Sequence, residues 1–183
     1  MDLGLIGRAA AMFAVTNVDD LVLLAVFFGR AAGRTVVAGQ FLGFGAILAA
    51  SVAGALGAGL LPDGTVRWLG VLPALLGIRA AWQAWRTEED EPAPAAGVFG
   101  IALVCFANGG DNIGVYVPAF AATGAAGLVG YAVVFLVGVA VWCGAGRFLA
   151  TRPGVARVLA RWGHVVLPVV LVALGVLILV GAF

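Results

Sequence analysis

Charged side chains are scarce in this chain of 183 residues, and its ten basic residues are all arginine. Charged residues make up 10% of the sequence, against about 25% in a typical soluble domain. Apolar residues make up 63%, and the mean hydropathy is +1.14. No polar stretch is long enough to form a separate soluble domain. The composition therefore predicts one membrane domain over residues 1–183.

The rarity of cysteine and histidine excludes further classes of protein. The two cysteines, Cys105 and Cys143, both stand in apolar surroundings and indicate no disulfide framework. The one histidine, His164, is expected at the mouth of a helix, so no paired histidine motif of an intramembrane protease exists. No nucleotide-binding G-x-x-x-x-G-K-[ST] motif occurs. We expect no enzymatic activity, no bound cofactor and no nucleic acid partner.

Six apolar segments are long enough to cross a bilayer, which takes about 20 helical residues. They cover residues 9–29, 36–61, 66–85, 98–122, 126–147 and 163–183. The N-terminus carries Asp2 and no basic cluster, so we expect a retained first helix rather than a cleaved signal peptide. The sequence thus predicts an all-α, multi-pass protein with six transmembrane helices.

The arginines are distributed unevenly between the two sides of these six helices. One side holds Arg30, Arg34, Arg86, Arg147, Arg152, Arg157 and Arg161. The other side holds only Arg8 and Arg67. Because short cytoplasmic loops are enriched in arginine, both termini are predicted to lie outside the cytoplasm.

An acidic, proline-containing linker over residues 88–96 divides the chain into halves, 1–87 and 97–183. Placing Asp19 over Asp111 aligns "TNVDDLVLLAVFF" with "NGGDNIGVYVPAF". Each half has three predicted helices, an odd number, so the second half would cross the membrane upside down. Such inverted three-helix repeats, with discontinuous helices and a site at the bilayer midplane, are found in many transporters.

Polar side chains concentrate at the middle of the first and fourth predicted helices. The candidate metal-ligating residues are Asp19, Asp20, Asp111, Asn112, Asn108, Asn17 and Thr16. Helical spacing would place Thr16 on one face with Asp19, and Asn108 on one face with Asp111. Oxygen-bearing groups of this kind suit a divalent cation.

Glycine and proline are expected to add backbone ligands to this site. Gly109, Gly110 and Gly114 weaken the fourth helix, and Pro118 frees the carbonyl of Gly114. In the alternative hypothesis the aspartates are purely structural, and their partners are asparagine hydrogen bonds or an arginine. The nearest arginine is Arg79, which we expect to extend towards the membrane interface instead.

These segments together resemble the CadD-type cadmium-resistance transporters of the lysine-exporter (LysE) superfamily. The matching stretches are "TNVDDLVLLAVFF", "GQFLGF", "LGVLPALLGI" and "GGDNIGVYVPAF". The resemblance implies a six-helix protein of the bacterial inner membrane that expels toxic divalent metal. It also implies that Asp19, Asp20, Asp111 and Asn112 belong to the transport site.

One position departs from the family's pattern. A cysteine often precedes the glycine pair in that family, as in "CGADN", where this chain has Asn108. An amide oxygen in place of a thiolate should shift preference from cadmium towards manganese, zinc or magnesium. The expected substrate is a divalent metal ion exchanged for protons, and assembly into an oligomer of identical chains stays open. Export of a small organic solute such as an amino acid is the competing hypothesis.

Overall fold

The computed structural model describes residues 3–58, 97–123 and 125–152, together with separate positions between 68 and 82 and between 154 and 180. The continuous ranges contain six helices and no strand. The helices are α1 (Leu3–Thr16), α2 (Val18–Arg30), α3 (Gly33–Ala58), α4 (Gly97–Asn108), α5 (Gly110–Ala121) and α6 (Ala125–Ala150). The predicted all-α class is confirmed for these ranges. The predicted helices at 66–85 and 163–183, and the linker at 88–96, lie outside them.

Two long helices, α3 and α6, are each apolar enough to cross a membrane alone. Their bounds agree with the predicted segments 36–61 and 126–147 to within a turn at each end. Large apolar side chains project from their outer faces, among them Leu56 and Val129, which are 68% and 61% exposed. Apolar side chains on an outer surface fit contact with lipid rather than with water.

The first and fourth predicted helices are broken, which corrects the expectation of one continuous helix in each place. α1 and α2 meet at an angle of 59°, and α4 and α5 meet at 63°. The break residues are Asn17 and Gly109, with φ/ψ of −116°/23° and −86°/18°. If each bent pair is one span, the described ranges contain four candidate spans in total. Pro118 does not break α5, which continues through it to Ala121.

The same alignment that pairs Asp19 with Asp111 also pairs the helix bounds of the two halves. It places Asn17 on Gly109, and the first and last residues of α3 on those of α6. The packing follows this correspondence, because α3 lies mainly against α4 and α5, whereas α6 lies mainly against α2 and α1. Each half thus has a broken pair followed by a long helix that packs on the broken pair of the other half.

Glycines on the long helices allow this close approach between halves. A Cβ atom on Gly43 of α3 would lie 2.6 Å from the Ala102 carbonyl oxygen of α4. A Cβ atom on Gly138 of α6 would lie 2.6 Å from the Phe13 ring of α1. Small residues at such positions are the usual means by which helices pack closely in a membrane.

Aromatic rings from both halves form the centre of the protein. Phe135 of α6 contacts the rings of Phe13, Phe44, Tyr116, Phe120 and Tyr131. All of these side chains are buried, and their ring centroids lie 4.6–6.2 Å from that of Phe135. Through Tyr116, this cluster borders the polar residues Thr16 and Asn17 at the first helix break.

Candidate functional site

Both helix breaks place aspartates in the first turn of a new helix. Asp19 and Asp20 lie in the first turn of α2, and Asp111 lies in the first turn of α5. Unpaired backbone N–H groups and the helix dipole make a helix N-terminus favourable for negative charge. The breaks therefore help to stabilise carboxylates inside an apolar bundle.

Asn108, the last residue of α4, joins the second half of the chain to the aspartates of the first. Its Nδ2 donates to Asp19 Oδ2 at 2.8 Å and to Asp20 Oδ1 at 3.0 Å. One amide group thus bridges two adjacent carboxylates. We call Asn108, Asp19 and Asp20 the carboxylate cluster.

Two residues that the sequence reasoning missed extend this cluster. Gln40 of α3 donates from Nε2 to Asp20 Oδ2 at 3.0 Å. Cys105 of α4 in turn donates from Sγ to Gln40 Oε1 at 2.7 Å. Gln40 is a lone amide in an apolar helix, and that is the signal that could have identified it. The sequence placed Cys105 only in apolar surroundings and gave no sign of this contact.

A second, neutral group of polar side chains surrounds the break at Asn17. Asn17 Nδ2 donates to the Tyr116 hydroxyl at 2.8 Å and lies 2.9 Å from Thr16 Oγ1. The hydroxyls of Thr16 and Tyr116 are 2.9 Å apart, and Asn112 Nδ2 donates to Asn17 Oδ1 at 3.2 Å. We call these four residues the amide cluster. It holds α5 of the second half against the break of the first.

Further hydrogen bonds satisfy the backbone at the first break. Trp142 of α6 donates from its indole Nε1 to the Asn17 carbonyl at 2.6 Å. Thr16 Oγ1 donates to the Met12 carbonyl, and Asn17 Nδ2 to that of Phe13, each at 2.9 Å. Carbonyls exposed by a broken helix need such partners inside a membrane.

Hydrogen-bond donors among the described residues reach four of the six carboxylate oxygens of Asp19, Asp20 and Asp111, and one of the other two is buried. Asp19 Oδ1 is buried and accepts no hydrogen bond, and the same holds for Asn112 Oδ1. Asp111 Oδ1 accepts from the Asn112 backbone N–H at 3.0 Å. A buried acceptor without a partner is costly, so both free oxygens favour the approach of a cation or a donor.

The negative charge of this region is not neutralised by the described residues. Asp19 and Asp20 stand side by side on the Asn108 amide, and Asp111 lies in the first turn of α5. The donors that reach them are neutral amides, and no arginine in the described ranges forms an ion pair with them. The sequence offered asparagine hydrogen bonds or an arginine as purely structural partners of the aspartates. Asn108 does supply such hydrogen bonds, but it is neutral and does not compensate the charge of the carboxylates. Arg79 lies outside the described residues.

The described residues contain no group of three histidine, cysteine, aspartate or glutamate side chains that could hold a metal ion. Carboxylates alone therefore do not make a complete coordination shell in this conformation. Any divalent cation bound here would need amide or hydroxyl oxygens as additional ligands. The carboxylate and amide clusters supply such groups from both halves of the chain.

A sequence model described as "cadmium resistance transporter" matches residues 13–182 of the chain. The chain belongs to the cadmium resistance transporter family. No curated protein and no solved structure shows a significant match to it. The family match confirms the resemblance to the cadmium-resistance transporters, and it makes the chain a membrane transporter with a metal ion as the implied substrate.

The contacts among the seven predicted site residues differ from those that helical spacing predicted. Thr16 and Asp19 lie on opposite sides of one break, and Asn108 and Asp111 lie on opposite sides of the other. The shared helical face predicted for each of these pairs is therefore wrong. Instead, Asn108 contacts Asp19 across the halves, and Thr16 contacts Tyr116.

The remaining sequence-based expectations can be placed as follows. Cys105 and Cys143 are free and buried, as expected for residues outside a disulfide. A Cβ atom on Gly33 would lie 4.0 Å from Arg147 Nη1, so the α2–α3 turn and the last turn of α6 lie at one end of the protein. This agrees with the predicted grouping of their arginines. His164 lies outside the described residues.

Proposed function

We propose that this protein is a secondary transporter that exports a divalent metal cation of the cadmium, zinc and manganese class from the cytoplasm. The observation that carries the proposal is the buried, unpartnered Asp19 Oδ1, beside a second carboxylate and without a described cationic partner. An uncompensated pair of carboxylates in an apolar bundle requires a cation or protons. Membership of a cadmium resistance family supports a metal as that cation.

The amide of Asn108 occupies the position between two carboxylates that a cation would take. Its N–H group points at both Asp19 and Asp20. We infer that metal binding displaces this N–H group, and that rotation of the amide presents its oxygen to the metal. The site would then combine Asp19 and Asp20 with Asn108, while Asp111, Asn112, Asn17 and Thr16 complete or support it. These assignments rest on the donor chemistry and on the cross-half contacts.

Alternating access is the transport mechanism that the arrangement of helices supports. The two halves correspond helix by helix, each with a break beside its aspartate. Six membrane-spanning helices in two inverted repeats would place both breaks near the bilayer midplane. Movement of one half against the other would then open the site to one side at a time. The superfamily of lysine exporters, suggested by the sequence, fits such a repeat.

Protons are the proposed coupling ion. The same carboxylates that bind a divalent cation can bind protons when the cation leaves, because a neutral site costs less inside a bilayer than a charged one. Protons and metal would therefore compete, and metal affinity should fall as the pH is lowered. A metal affinity that does not vary with pH would exclude proton exchange at this site.

Export of a small organic solute has weaker support. An amino acid carries a carboxylate that needs a cationic group or a helix N-terminus, and the helix N-termini here already carry Asp19 and Asp111. No described arginine contacts either of them. A metal ion requires neither a cationic group nor a free helix N-terminus, so it fits the described groups better.

Metal tolerance of a transporter-deficient bacterial strain tests the proposed function. Expression of the wild-type chain should raise tolerance to at least one of cadmium, zinc and manganese, and Asp19→Asn should abolish the gain. Asn108 in place of the family's cysteine predicts a larger gain for zinc or manganese than for cadmium. No gain for any metal, at an equal level of membrane-inserted protein, would contradict the proposal.

A further inference from the structure

We propose that Gln40 is a positioning residue of the metal site, and that it holds the Asp20 carboxylate in place together with the Cys105 thiol. The inference rests on the proposed function, since it concerns how that site is organised. It assigns a role to two residues that do not themselves contact the metal.

The hydrogen bonds of Gln40 use both ends of its side-chain amide. Nε2 donates to Asp20 Oδ2 at 3.0 Å, and Oε1 accepts from Cys105 Sγ at 2.7 Å. An ionised Asp20 carboxylate can only accept, so it selects the N–H end of the amide, and the oxygen end is left to accept from the thiol. Asp20 then has both oxygens engaged, one by Gln40 and one by Asn108. Asp19 has one engaged oxygen and keeps the other for the metal.

The burial of Gln40 indicates that its hydrogen bonds are needed and not incidental. The side chain is 2% exposed within a mainly apolar helix, and burial of an amide is costly unless its hydrogen bonds are made. Both of its bonds leave α3, one for α2 and one for α4. Ser51, another fully buried polar residue of α3, instead bonds to the Ile47 carbonyl of its own helix at 2.8 Å.

Close packing of α3 on α4 supplies an independent reason for this arrangement. Gly39 and Gly43 flank Gln40, and neither has room for a Cβ atom against Ile101 or Cys105 of α4. The glycines thus bring the two helices near enough for the glutamine to reach the thiol. The spacing of these two glycines is the small-xxx-small pattern of close helix pairs.

The two halves of the chain differ at the position of Gln40, and the difference follows the presence or absence of a charged residue at the position of Asp20. The alignment of Asp19 with Asp111 pairs Gln40 with Ala132, and Asp20 with Asn112. The half that has the charged residue also has the amide that holds it. The half with the neutral Asn112 has an alanine instead.

Calorimetric titration of the purified full-length protein with Cd²⁺, Zn²⁺ and Mn²⁺ tests the inference. Gln40→Leu should weaken binding of the preferred metal about tenfold, since a hydrogen bond to a charged group is lost. Cys105→Ala should weaken it less, by roughly threefold, because the thiol acts through a weaker bond. Cys105→Ser, which retains a donor, should restore the wild-type affinity. Ser51→Ala is the matched control and should leave the affinity unchanged.

The metal affinity of the double variant Gln40→Leu/Cys105→Ala shows whether Cys105 acts through Gln40 or independently of it. If Cys105 acts through Gln40, the double variant should bind metal no more weakly than Gln40→Leu alone. Additive losses would mean that the thiol acts independently of Gln40, and a loss confined to Cd²⁺ in Cys105→Ala would mean that the thiol binds metal directly. Either result would overturn the inference. Wild-type affinity in Gln40→Leu would overturn it as well.

Failure of the proposed function would look different in the same experiment. A wild-type protein that binds none of the three metals would contradict the proposed function itself. A wild-type protein that binds metal, with Gln40→Leu unchanged, would contradict only the role of Gln40. If Gln40→Leu does not fold, the comparison of Cys105→Ala with Cys105→Ser still decides whether the donor matters.

Discussion

At the scale of single residues, Asp19 and Asp20 are neighbours with different surroundings. Asp19 keeps a buried oxygen without a partner, whereas both oxygens of Asp20 accept hydrogen bonds from amides. Asp19→Asn should therefore weaken metal binding at least 100-fold, about 3 kcal/mol, because a direct ligand and its charge are lost. Asp20→Asn should cost less than Asp19→Asn, but at least the roughly tenfold loss expected for Gln40→Leu, which acts through Asp20. Titration calorimetry on both variants, with melting temperatures as the folding control, measures the difference, and equal losses would contradict it.

Tyr116 is the residue on which the amide cluster depends. Its buried hydroxyl accepts from Asn17 and is 2.9 Å from that of Thr16. Tyr116→Phe should lower the free energy of unfolding by about 0.5–1.5 kcal/mol, the usual net value of one hydrogen bond. Tyr131→Phe is the control, because Tyr131 is a buried tyrosine of the same aromatic cluster whose hydroxyl is not one of the buried polar atoms left without a partner in the described residues, and it takes no part in the amide cluster. Denaturant unfolding in detergent compares the two variants, and equal effects would show that the cluster is not stabilising.

At the scale of helices, the contact of α3 with α4 positions the carboxylate cluster. Gly43→Ala would bring a Cβ atom to 2.6 Å from the Ala102 carbonyl oxygen, so the backbone must shift. We expect a loss of about 1–3 kcal/mol in the free energy of unfolding, as for other overpacked sites. Gly45→Ala on the same helix meets nothing within 4 Å and should be neutral or slightly stabilising. Thermal unfolding of both variants measures this, and similar stabilities would exclude close packing at Gly43.

The helices also show how far the sequence determines the fold. The long helices α3 and α6 were predictable, because each is an apolar run of spanning length, although the short loop before α6 is nearly invisible in the composition. The weakness of the fourth helix at Gly109 was indicated by its glycines. The break at Asn17 was not, because no glycine or proline marks it and the partners that stabilise it, Tyr116 and Trp142, are distant in sequence.

The same limit applies to the candidate site. Intramembrane aspartates and asparagines are recognisable from composition alone, since polar groups are costly in an apolar helix. Sequence spacing reports only neighbours on one helix, so it paired Asn108 with Asp111 rather than with Asp19. Gln40 was missed for the same reason, because its partners lie on two other helices.

At the scale of the whole molecule, the arginine distribution predicts the orientation in the membrane. Cysteine introduced at Glu88, in the acidic linker, should react with an impermeant maleimide only after the cells are opened. Cysteine introduced at Asp63, in the loop predicted on the other side, should react in intact cells. Native Cys105 and Cys143 are buried and should contribute little background. Labelling of the Glu88 position in intact cells would reverse the orientation.

Metal transport by purified protein in liposomes tests the central claim most directly. With a pH gradient imposed, the wild-type protein should move Cd²⁺, Zn²⁺ or Mn²⁺ against an opposite flow of protons. Asp19→Asn and Asp111→Asn should each abolish both fluxes, because the proposed exchange of one divalent ion for protons uses carboxylates from both halves of the chain. Near wild-type metal flux in Asp111→Asn, or no flux in the wild type for any of the three metals, would contradict the account.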